Sequence, residues 1–282
     1  HATSTRHQAL PRYVPSRPIA WAAALACFLP LFFGFLLPGT ALVLWSIETG
    51  SQMINSSFFR YAANSFLLAS ATAGLAVLFG VFLAYGTRLQ PGPVMSFASR
   101  IASLGYAVPG AVIAVGVLIV YTTIDHALVA WLKAAFGISS GLLLTGTLAG
   151  LVLAYLVRFL AVSLSTVEAG LAKITPSMDA AARTLGYPPR SVMRRVHAPL
   201  MWGSLLTAAM LVFVDVMKEL PATIILRPFN FDTLAIQAYQ LASDERLADA
   251  SSASLAIVLV GIIPVIALSV AIARSRAGHH DD

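Results

Sequence analysis

Long apolar stretches separated by short polar segments dominate the order of residues along this chain. A helix needs about 20 apolar residues to cross the hydrocarbon core of a bilayer. Six stretches reach that length, and they are Ile19–Trp45, Asn64–Tyr85, Ile101–Ile124, Gly141–Leu164, Leu200–Leu226 and Ala253–Ala273. The pattern therefore predicts an all-α polytopic membrane protein with six transmembrane helices.

Some of the predicted spans contain residues that are unusual in lipid. Pro30 and Pro38 lie in the first span, and Pro109 lies in the third. Membrane helices tolerate proline where neighbouring groups satisfy the freed backbone carbonyls. Arg158 lies near the end of the fourth span, where its long side chain is expected to reach the membrane interface. These residues are therefore compatible with the six predicted spans.

Composition supports a membrane protein. Hydrophobic residues make up 58% of the chain and charged residues 11%, whereas soluble domains carry about 25% charged residues. The single cysteine, Cys27, lies in an apolar run, which excludes a disulfide framework. The polar segment 1–18 is predicted to be a linker or cytoplasmic tail, and 274–282 a second cytoplasmic tail.

Basic residues are distributed unevenly between the segments that join the spans. If the N-terminus is cytoplasmic, the outer segments hold only Arg60, Lys133, Arg227 and Arg246. The inner segments hold Arg6, Arg12, Arg17, Arg88, Arg100, Arg158, Lys173, Arg183, Arg190, Arg194, Arg195, Arg274 and Arg276. The positive-inside rule therefore predicts that both termini are cytoplasmic. This topology also explains the pI of about 9.8, so no nucleic-acid partner is expected.

A polar, basic insert, Thr175–Pro199, separates the fourth and fifth spans on the predicted cytoplasmic side. Thr175 can cap a short helix, and Pro176 suits its first position because no backbone donor is needed there. Gly186 can adopt the left-handed conformation that ends a helix. The sequence therefore predicts a short helix followed by a sharp break.

One face of this short helix is predicted to be shallow and apolar. Met178, Ala181, Ala182 and Leu185 follow the spacing of residues that share a helix face. Since alanine side chains are small, another protein surface could approach this face closely. A plain loop between two spans is the simpler alternative. The basic residues that follow, Arg190, Arg194 and Arg195, could contact either a partner protein or anionic lipid.

The insert resembles the EAA motif of ABC-importer permeases. Ala181-Ala182, Gly186, Val196 and Pro199 keep the spacing of that motif, whereas Ala180 and Ala198 occupy its glutamate and leucine positions. In that family the segment is the coupling helix, which docks into a groove of the cytoplasmic ATPase. The resemblance implies that the ATPase-coupling residues are Asp179, Ala180, Ala181, Ala182, Arg183, Gly186, Val196 and Pro199. Asp179 could replace the missing glutamate.

Other segments are similar to binding-protein-dependent iron(III) permeases. They are Asn64-Ser65, Tyr106–Gly110, Asp215–Thr233, Leu234-Ala235 and Leu241–Ser243. Members of that family commonly have two homologous six-span halves, and this chain resembles the C-terminal one. The resemblance implies a type I ABC importer permease fold, with a permease domain over 19–273 and a coupling-helix loop over 165–199. It also implies the bacterial cytoplasmic (inner) membrane as the location.

The chain contains no phosphate-binding G-x-x-x-x-G-K-[ST] loop. We therefore expect a transport subunit that is not an enzyme, with no cofactor of its own and no catalytic residue. The resemblance implies a cytoplasmic ATP-binding subunit, a periplasmic or extracellular substrate-binding protein and a second permease half, fused or separate. His126 and His197 lack partners at metal-ligand spacing, so no metal site is predicted. Iron(III) is the expected substrate, although phosphonate and other permeases share the architecture.

Three ionisable residues, Asp215, Lys218 and Glu219, lie in the fifth predicted span and are expected near one helix face. Ionisable groups at membrane depth are costly and indicate function by default. They could line the translocation path or a gate. Alternatively, Lys218 and Asp215 form a buried ion pair that is purely structural. A secondary transporter that uses these three residues as an ion relay is the alternative function.

Overall fold

The structure is a computed structural model that describes residues 15–275, and all the regular secondary structure in this part of the chain is helical. The α-helices are α1 Arg17–Leu31, α2 Leu37–Met53, α3 Ser56–Leu89, α4 Pro93–Leu104, α5 Gly110–Phe136, α6 Leu148–Leu171, α7 Pro176–Thr184, α8 Pro189–Val192, α9 Ala198–Met217, α10 Pro221–Leu226, α11 Leu234–Ser243 and α12 Leu247–Ser275. Residues 1–14 and 276–282, which hold most of the two predicted tails, lie outside the described residues.

Six helical stretches of the described residues are long and apolar enough to cross a membrane. They are Arg17–Met53, Ser56–Leu89, Gly110–Phe136, Leu148–Leu171, Met193–Met217 and Leu247–Ala267. The first joins α1 to α2 through a π-helical turn, Phe32–Leu36, which follows Pro30 and keeps the helix continuous. The predicted all-α polytopic fold with six spans is confirmed, although several span boundaries differ.

The core lies where α3, α6 and α9 pack against one another. Small buried residues line these contacts, among them Ala69, Ala73, Ala76, Ala154 and Ala208. A side chain at Gly80 would come within 2.8 Å of the Ser163 hydroxyl, so α3 and α6 approach closely there. Small residues have this role at helix contacts in membranes because they let two backbones come together.

The third predicted span, Ile101–Ile124, is wrong as a single helix. α4 ends at Leu104, a 3₁₀ turn covers Gly105–Ala107, and α5 begins only at Gly110. Pro109 explains the break, because proline cannot donate a backbone hydrogen bond and drives the preceding Val108 to an extended conformation. At Gly105 a side chain would overlap the Val157 carbonyl oxygen. The break is therefore pressed against the middle of α6.

The fifth predicted span, Leu200–Leu226, is also interrupted. α9 ends at Met217, and the separate helix α10 begins at Pro221. Proline suits the first position of a helix but not its interior. Glu219 therefore lies beyond the end of α9. The prediction that Glu219 shares a helix face with Asp215 is wrong.

The fourth span begins later than its predicted start at Gly141. Residues 137–147 form a loop whose backbone amides at Leu143, Leu144 and Thr145 donate hydrogen bonds of 2.8–3.0 Å to the buried carboxylate of Asp125. Thr147 then caps α6. Arg158 consequently lies near the middle of α6 and not near its end, so its predicted place at the membrane interface is wrong.

Candidate functional site

The polar insert, Thr175–Pro199, folds as a short helix, a tight turn and a basic connection. α7 ends at Thr184, and Gly186 adopts a left-handed conformation with φ of 78°. The Tyr187 amide donates to the Ala182 carbonyl at 3.1 Å, which closes the end of the helix. α8 and a π-helical turn, Met193–His197, then lead into α9. The predicted helix and glycine break are present in the structure.

Arg88, the basic residue near the end of α3, joins three parts of one end of the bundle, the end that is predicted to be cytoplasmic. Its Nε and Nη2 donate to Asp179 Oδ2 at 3.1 and 2.8 Å. Its Nη1 and Nη2 also donate to the carbonyls of Leu171 and Ile174, each at 2.9 Å. The Leu171 carbonyl belongs to the last turn of α6, where helical acceptors lack partners of their own, and the Ile174 carbonyl lies just beyond it. Arg88 therefore fixes α7 to the ends of α3 and α6.

His197 completes this contact from the other end of the insert. Its Nε2 lies 2.7 Å from Asp179 Oδ1, and because an ionised carboxylate only accepts, Nε2 is the donor. The imidazole is buried and packs edge-on against the Tyr85 ring, with centroids 5.6 Å apart. We call Arg88, Asp179 and His197 the inner clamp. The sequence did not predict Arg88 or His197 as its members.

Charge and burial together set the ionisation of Asp179. Partial burial raises the pKa of its carboxyl, but the hydrogen bonds and positive charge of Arg88, with the His197 contact, outweigh that effect. The pKa is therefore lower than its ordinary value. Charge-assisted hydrogen bonds of this kind are roughly twice as strong as neutral ones. Asp179 is thus an ionised anchor within this chain, and both of its oxygens are engaged.

The face of α7 that was predicted to be apolar is divided in the structure. Met178, Ala181 and Leu185 are exposed, whereas Ala182 is buried on the same side as Asp179. The prediction that Ala182 shares the outward face is therefore wrong. The helix turns about 100° per residue, so Asp179 and Ala182, three residues apart, point inward together. The remaining predicted coupling residues are exposed at Ala180 and Pro199 and half-buried at Val196, and the Arg183 side chain lies outside the described part.

A second cluster of charged residues lies in the middle of the bundle. Arg158 Nη1 donates to Glu219 Oε1 at 2.8 Å, and only 5% of the Glu219 side chain is exposed. The predicted pair between Lys218 and Asp215 is present at 3.1 Å, but 62% of the Lys218 side chain is exposed. That pair is therefore not buried, and the buried partner of Glu219 is Arg158. Arg158 is the one arginine within the fourth predicted span. Its position in an apolar span was the sequence feature that could have indicated a buried acidic partner.

Both helix breaks meet at Arg158. Any side chain at Gly110, where α5 begins, would overlap the Arg158 guanidinium and come within 3.1 Å of Glu219 Oε1. Close by, the hydroxyls of Tyr155 and Thr223 lie 2.6 Å apart and connect α6 to α10. We call Arg158, Asp215, Lys218 and Glu219 the central charge cluster. Among the described residues, no group of three or more histidine, cysteine or acidic residues is arranged to hold a metal ion.

Six spans, two breaks in the middle of the bundle and a clamped polar insert define a polytopic α-helical membrane protein. The chain belongs to the binding-protein-dependent transport system inner membrane component family, whose model matches residues 76–277. This confirms the predicted ABC-importer permease family and a membrane transport subunit that is not an enzyme. Members carry no cofactor of their own, as expected, because ATP binds the partner ATPase.

Curated relatives are similar at low identity. The Fe(3+)-transport system permease protein FbpB 2 of Haemophilus influenzae is 27% identical over 237 residues, which cover 82% of this chain but only 43% of that protein. The putative 2-aminoethylphosphonate transport system permease protein PhnV of Salmonella typhimurium is 27% identical over 276 residues, which cover 93% of this chain and 96% of that protein. The chain thus spans less than half of the first relative and nearly all of the second.

Solved structures share the fold. A chain in the crystal structure of a bacterial alginate ABC transporter, in complex with an alginate pentasaccharide-bound periplasmic protein, superimposes with a TM-score of 0.71 at 12% identity. That match covers 89% of this chain and 92% of the other. A chain of the inward-facing MetNI methionine ABC transporter gives a TM-score of 0.51 at 17% identity, and covers 79% of this chain and 99% of that one. These identities establish the fold alone.

Proposed function

We propose that this chain is the membrane-spanning permease subunit of an ATP-driven, binding-protein-dependent ABC importer. The observation that carries the proposal is the inner clamp, because it joins α7 to the ends of two spans. A helix held in this way moves with α3 and α6 as one body. A force applied to α7 from the cytoplasmic side therefore reaches the bundle directly.

The coupling role assigns different tasks to the two sides of α7. Met178, Ala181 and Leu185 form the outward face and would enter a groove of the ATPase. Asp179 and Ala182 face the bundle and would hold α7 in place, so Asp179 does not substitute for the missing glutamate in a contact with the ATPase. Gly186 provides the corner. Ala180, Arg183, Val196 and Pro199 complete the proposed coupling segment, with Ala180 and Arg183 on α7 and Val196 and Pro199 after it.

Substrate would cross beside the central charge cluster by alternating access. An exposed Lys218 at membrane depth is costly in lipid, and such residues usually face a water-filled cavity. Asp215 and Lys218 would therefore line the translocation path. The Arg158 and Glu219 side chains are more buried than that of Lys218. Their ion pair would hold the two helix breaks together in one of the two conformations of the alternating-access cycle. Broken helices near the bilayer midplane are common at transporter binding sites.

The proposed partners follow from this assignment. They are a cytoplasmic ATP-binding subunit, a periplasmic or extracellular substrate-binding protein, a second permease half and the lipid bilayer, with no nucleic acid. A C-terminal half of a longer permease is one arrangement, supported by the coverage of FbpB 2. Two copies of a separate chain is the other, supported by the coverage of PhnV. Both termini would be cytoplasmic, in a bacterial inner membrane.

Iron(III) is our first proposal for the substrate, because FbpB 2 is named as an Fe(3+)-transport permease. A 2-aminoethylphosphonate is the second, because PhnV relatives match this chain over nearly their whole length. The central charge cluster presents both cationic and anionic groups, which suits a zwitterion of that kind. Uptake of radiolabelled ferric iron and of radiolabelled 2-aminoethylphosphonate distinguishes the two.

The test is to purify the tagged chain from its native membrane and to assay the copurified material for ATP hydrolysis. The same material is then reconstituted in proteoliposomes with the substrate-binding protein. We expect uptake only with ATP on the side of the ATPase, and no loss of uptake when ionophores collapse ion gradients. Uptake that follows an ion gradient without any ATPase would instead establish the secondary transporter that relies on Asp215, Lys218 and Glu219.

A further inference from the structure

An apolar groove with a volume of about 410 Å³ opens on the surface of the bundle beside the inner end of α3. It lies between the last turns of α3, the first turn of α4 and the turn that precedes α9. The lining residues are Leu78, Val81, Phe82, Tyr85, Gly86, Leu89, Gln90, Met95 and Met193. Tyr85 and Gln90 are the residues of this set with polar, uncharged groups, and none of the set is charged.

The cytoplasmic rim of the groove is cationic. Tyr85 and Leu89 also line a small adjoining cleft that reaches Tyr187 in the polar insert. The guanidinium of Arg195 lies 5.8 Å from the centre of the Tyr187 ring. Arg194 directly follows Met193 of the groove lining, and both arginines are exposed. Among the described residues, no carboxylate pairs with either arginine, so their charge is uncompensated.

This combination matches one kind of molecule. A phospholipid has an acyl chain that fills an apolar groove and a phosphate that binds arginine, and the inner leaflet supplies anionic headgroups. We propose that the groove binds an anionic phospholipid, with an acyl chain against α3 and α4 and its headgroup at Arg194 and Arg195. A neutral lipid or a second protein chain would fill the groove but leave the arginines without a counter-charge.

The position of this site ties it to the inner clamp. The π-helical turn that carries Arg194 and Arg195 also carries His197, which contacts Asp179. A bound headgroup would hold this turn in place and so steady the insert from outside the bundle. The inference is independent of the proposed transport function, since it concerns the lipid interface of the chain alone.

Native mass spectrometry of the purified full chain tests the proposal. The chain is incubated with equal amounts of dioleoyl phosphatidylglycerol and dioleoyl phosphatidylcholine, and the retained adducts are counted. We expect the anionic lipid to be retained preferentially, by about fivefold for each arginine involved. The double variant Arg194→Gln, Arg195→Gln should lose the preference. Lys133 is an exposed basic residue on α5, which is not part of the insert. The control variant Lys133→Gln should keep the preference for the anionic lipid.

Two groove-filling variants test the apolar half of the site from different helices. A side chain at Gly86 would meet the flexible end of Met95, so Gly86→Leu fills the groove from α3, and Met95→Trp fills it from α4. Either should reduce adducts of both lipids, provided that the variant keeps its helical circular dichroism. Equal retention of the two lipids by the wild-type chain, or an unchanged preference in the double arginine variant, overturns the proposal. So does a groove covered by a second copy, seen as dimers without lipid adducts.

Discussion

Arg88 concentrates four hydrogen bonds on one side chain at the point where α3, α6 and α7 meet. Lysine has the same charge, but only a planar guanidinium can address a carboxylate and two carbonyls in fixed directions at once. A single polar contact between exposed residues is worth little. This cluster differs because its two charged side chains are mostly buried and also satisfy carbonyls at a helix end.

The first prediction concerns the anchoring of α7 by Arg88. Arg88→Ala should destabilise the docked position of α7 by about 1.5–3 kcal/mol, which is the range for hydrogen bonds to charged groups. Arg88→Lys should recover only part of this stability. The measurement is hydrogen exchange of the α7 amides in the purified chain, where exchange should accelerate by about 10- to 150-fold. Arg60→Ala, an exposed arginine at the other end of α3, is the control and should change nothing.

The second prediction is the pH dependence of the same contact. Asp179 has a lowered pKa in the folded chain, so its contribution is fully present above its unfolded value of about 3.9. It is lost only as the pH falls through the lowered folded value. Exchange protection of α7, corrected for the intrinsic pH dependence of exchange, should therefore stay constant from neutral pH to about 4 and decline below. Asp179→Asn should remove the decline and lower the protection at neutral pH, whereas Asp244→Asn should leave both unchanged.

If exchange protection of α7 at neutral pH is the same in Asp179→Asn as in the wild type, the anchoring role of Asp179 is contradicted.

The pair of Arg88 and Asp179 also shows which contacts cannot be predicted from sequence. Asp179 was found because it lies beside a motif position. Arg88 is 91 residues away, and neither spacing nor hydropathy connects two residues so far apart in the chain. Only the packing of the helices brings them together.

At the scale of elements, proline and glycine determine where helices stop. Pro109, Pro221 and Gly186 each mark a break, and backbone chemistry makes each a candidate, but Pro30 and Pro264 lie inside continuous helices, so the residue type alone does not identify a break. Hydropathy nevertheless predicted continuous spans through Pro109 and Pro221, because the flanking residues are apolar on both sides. Neighbouring helices stabilise the observed breaks through contacts such as that of Arg158 with Glu219. These two residues are 61 positions apart in the chain, so the sequence near either break does not predict the contact.

The third prediction concerns the break at Glu219. Arg158→Met leaves a carboxylate buried without its partner, which should cost about 3–5 kcal/mol of stability. The double variant Arg158→Met, Glu219→Met should recover much of this loss, because a well-packed apolar pair often replaces a buried ion pair without penalty. Thermal unfolding in detergent, followed by circular dichroism, measures both. A double variant no more stable than Arg158→Met would show that the carboxylate is not the source of the cost.

The fourth prediction concerns the turn at Gly186. A side chain there would meet nothing within 4 Å, so the φ of 78° is the one obstacle to substitution. Gly186→Val should therefore uncouple ATP hydrolysis from uptake by displacing the corner of the insert, because β-branched residues are strained in the left-handed region. Gly203→Val, in α9 and equally unobstructed but with ordinary helical φ, is the matched control. Normal coupled uptake by Gly186→Val would contradict the coupling role of the insert.

At the scale of the whole molecule, hydropathy and charge predicted the number of spans and a consistent sidedness. They could do so because lipid imposes the same length and polarity on every span. The same uniformity hides which face of each helix meets lipid, protein or water. Lys218 illustrates the point, since it lies in a span predicted as one continuous apolar helix, and our proposal that it faces an aqueous path rests on its exposed side chain and on the break after α9.

The fifth prediction tests that path in the assembled protein. The chain has one cysteine, Cys27, so Cys27→Ser gives a cysteine-free background into which Lys218→Cys is introduced. A membrane-impermeant thiol reagent should label this position in proteoliposomes, because the residue faces water. Ile263→Cys, which is as exposed as Lys218 but lies on the apolar surface of α12, should stay unlabelled because it faces lipid. If ATP drives alternating access, adding nucleotide to the reconstituted complex should change the side from which Lys218→Cys reacts. Equal inertness of the two positions would place Lys218 outside the path and leave Arg158 and Glu219 as a purely structural pair.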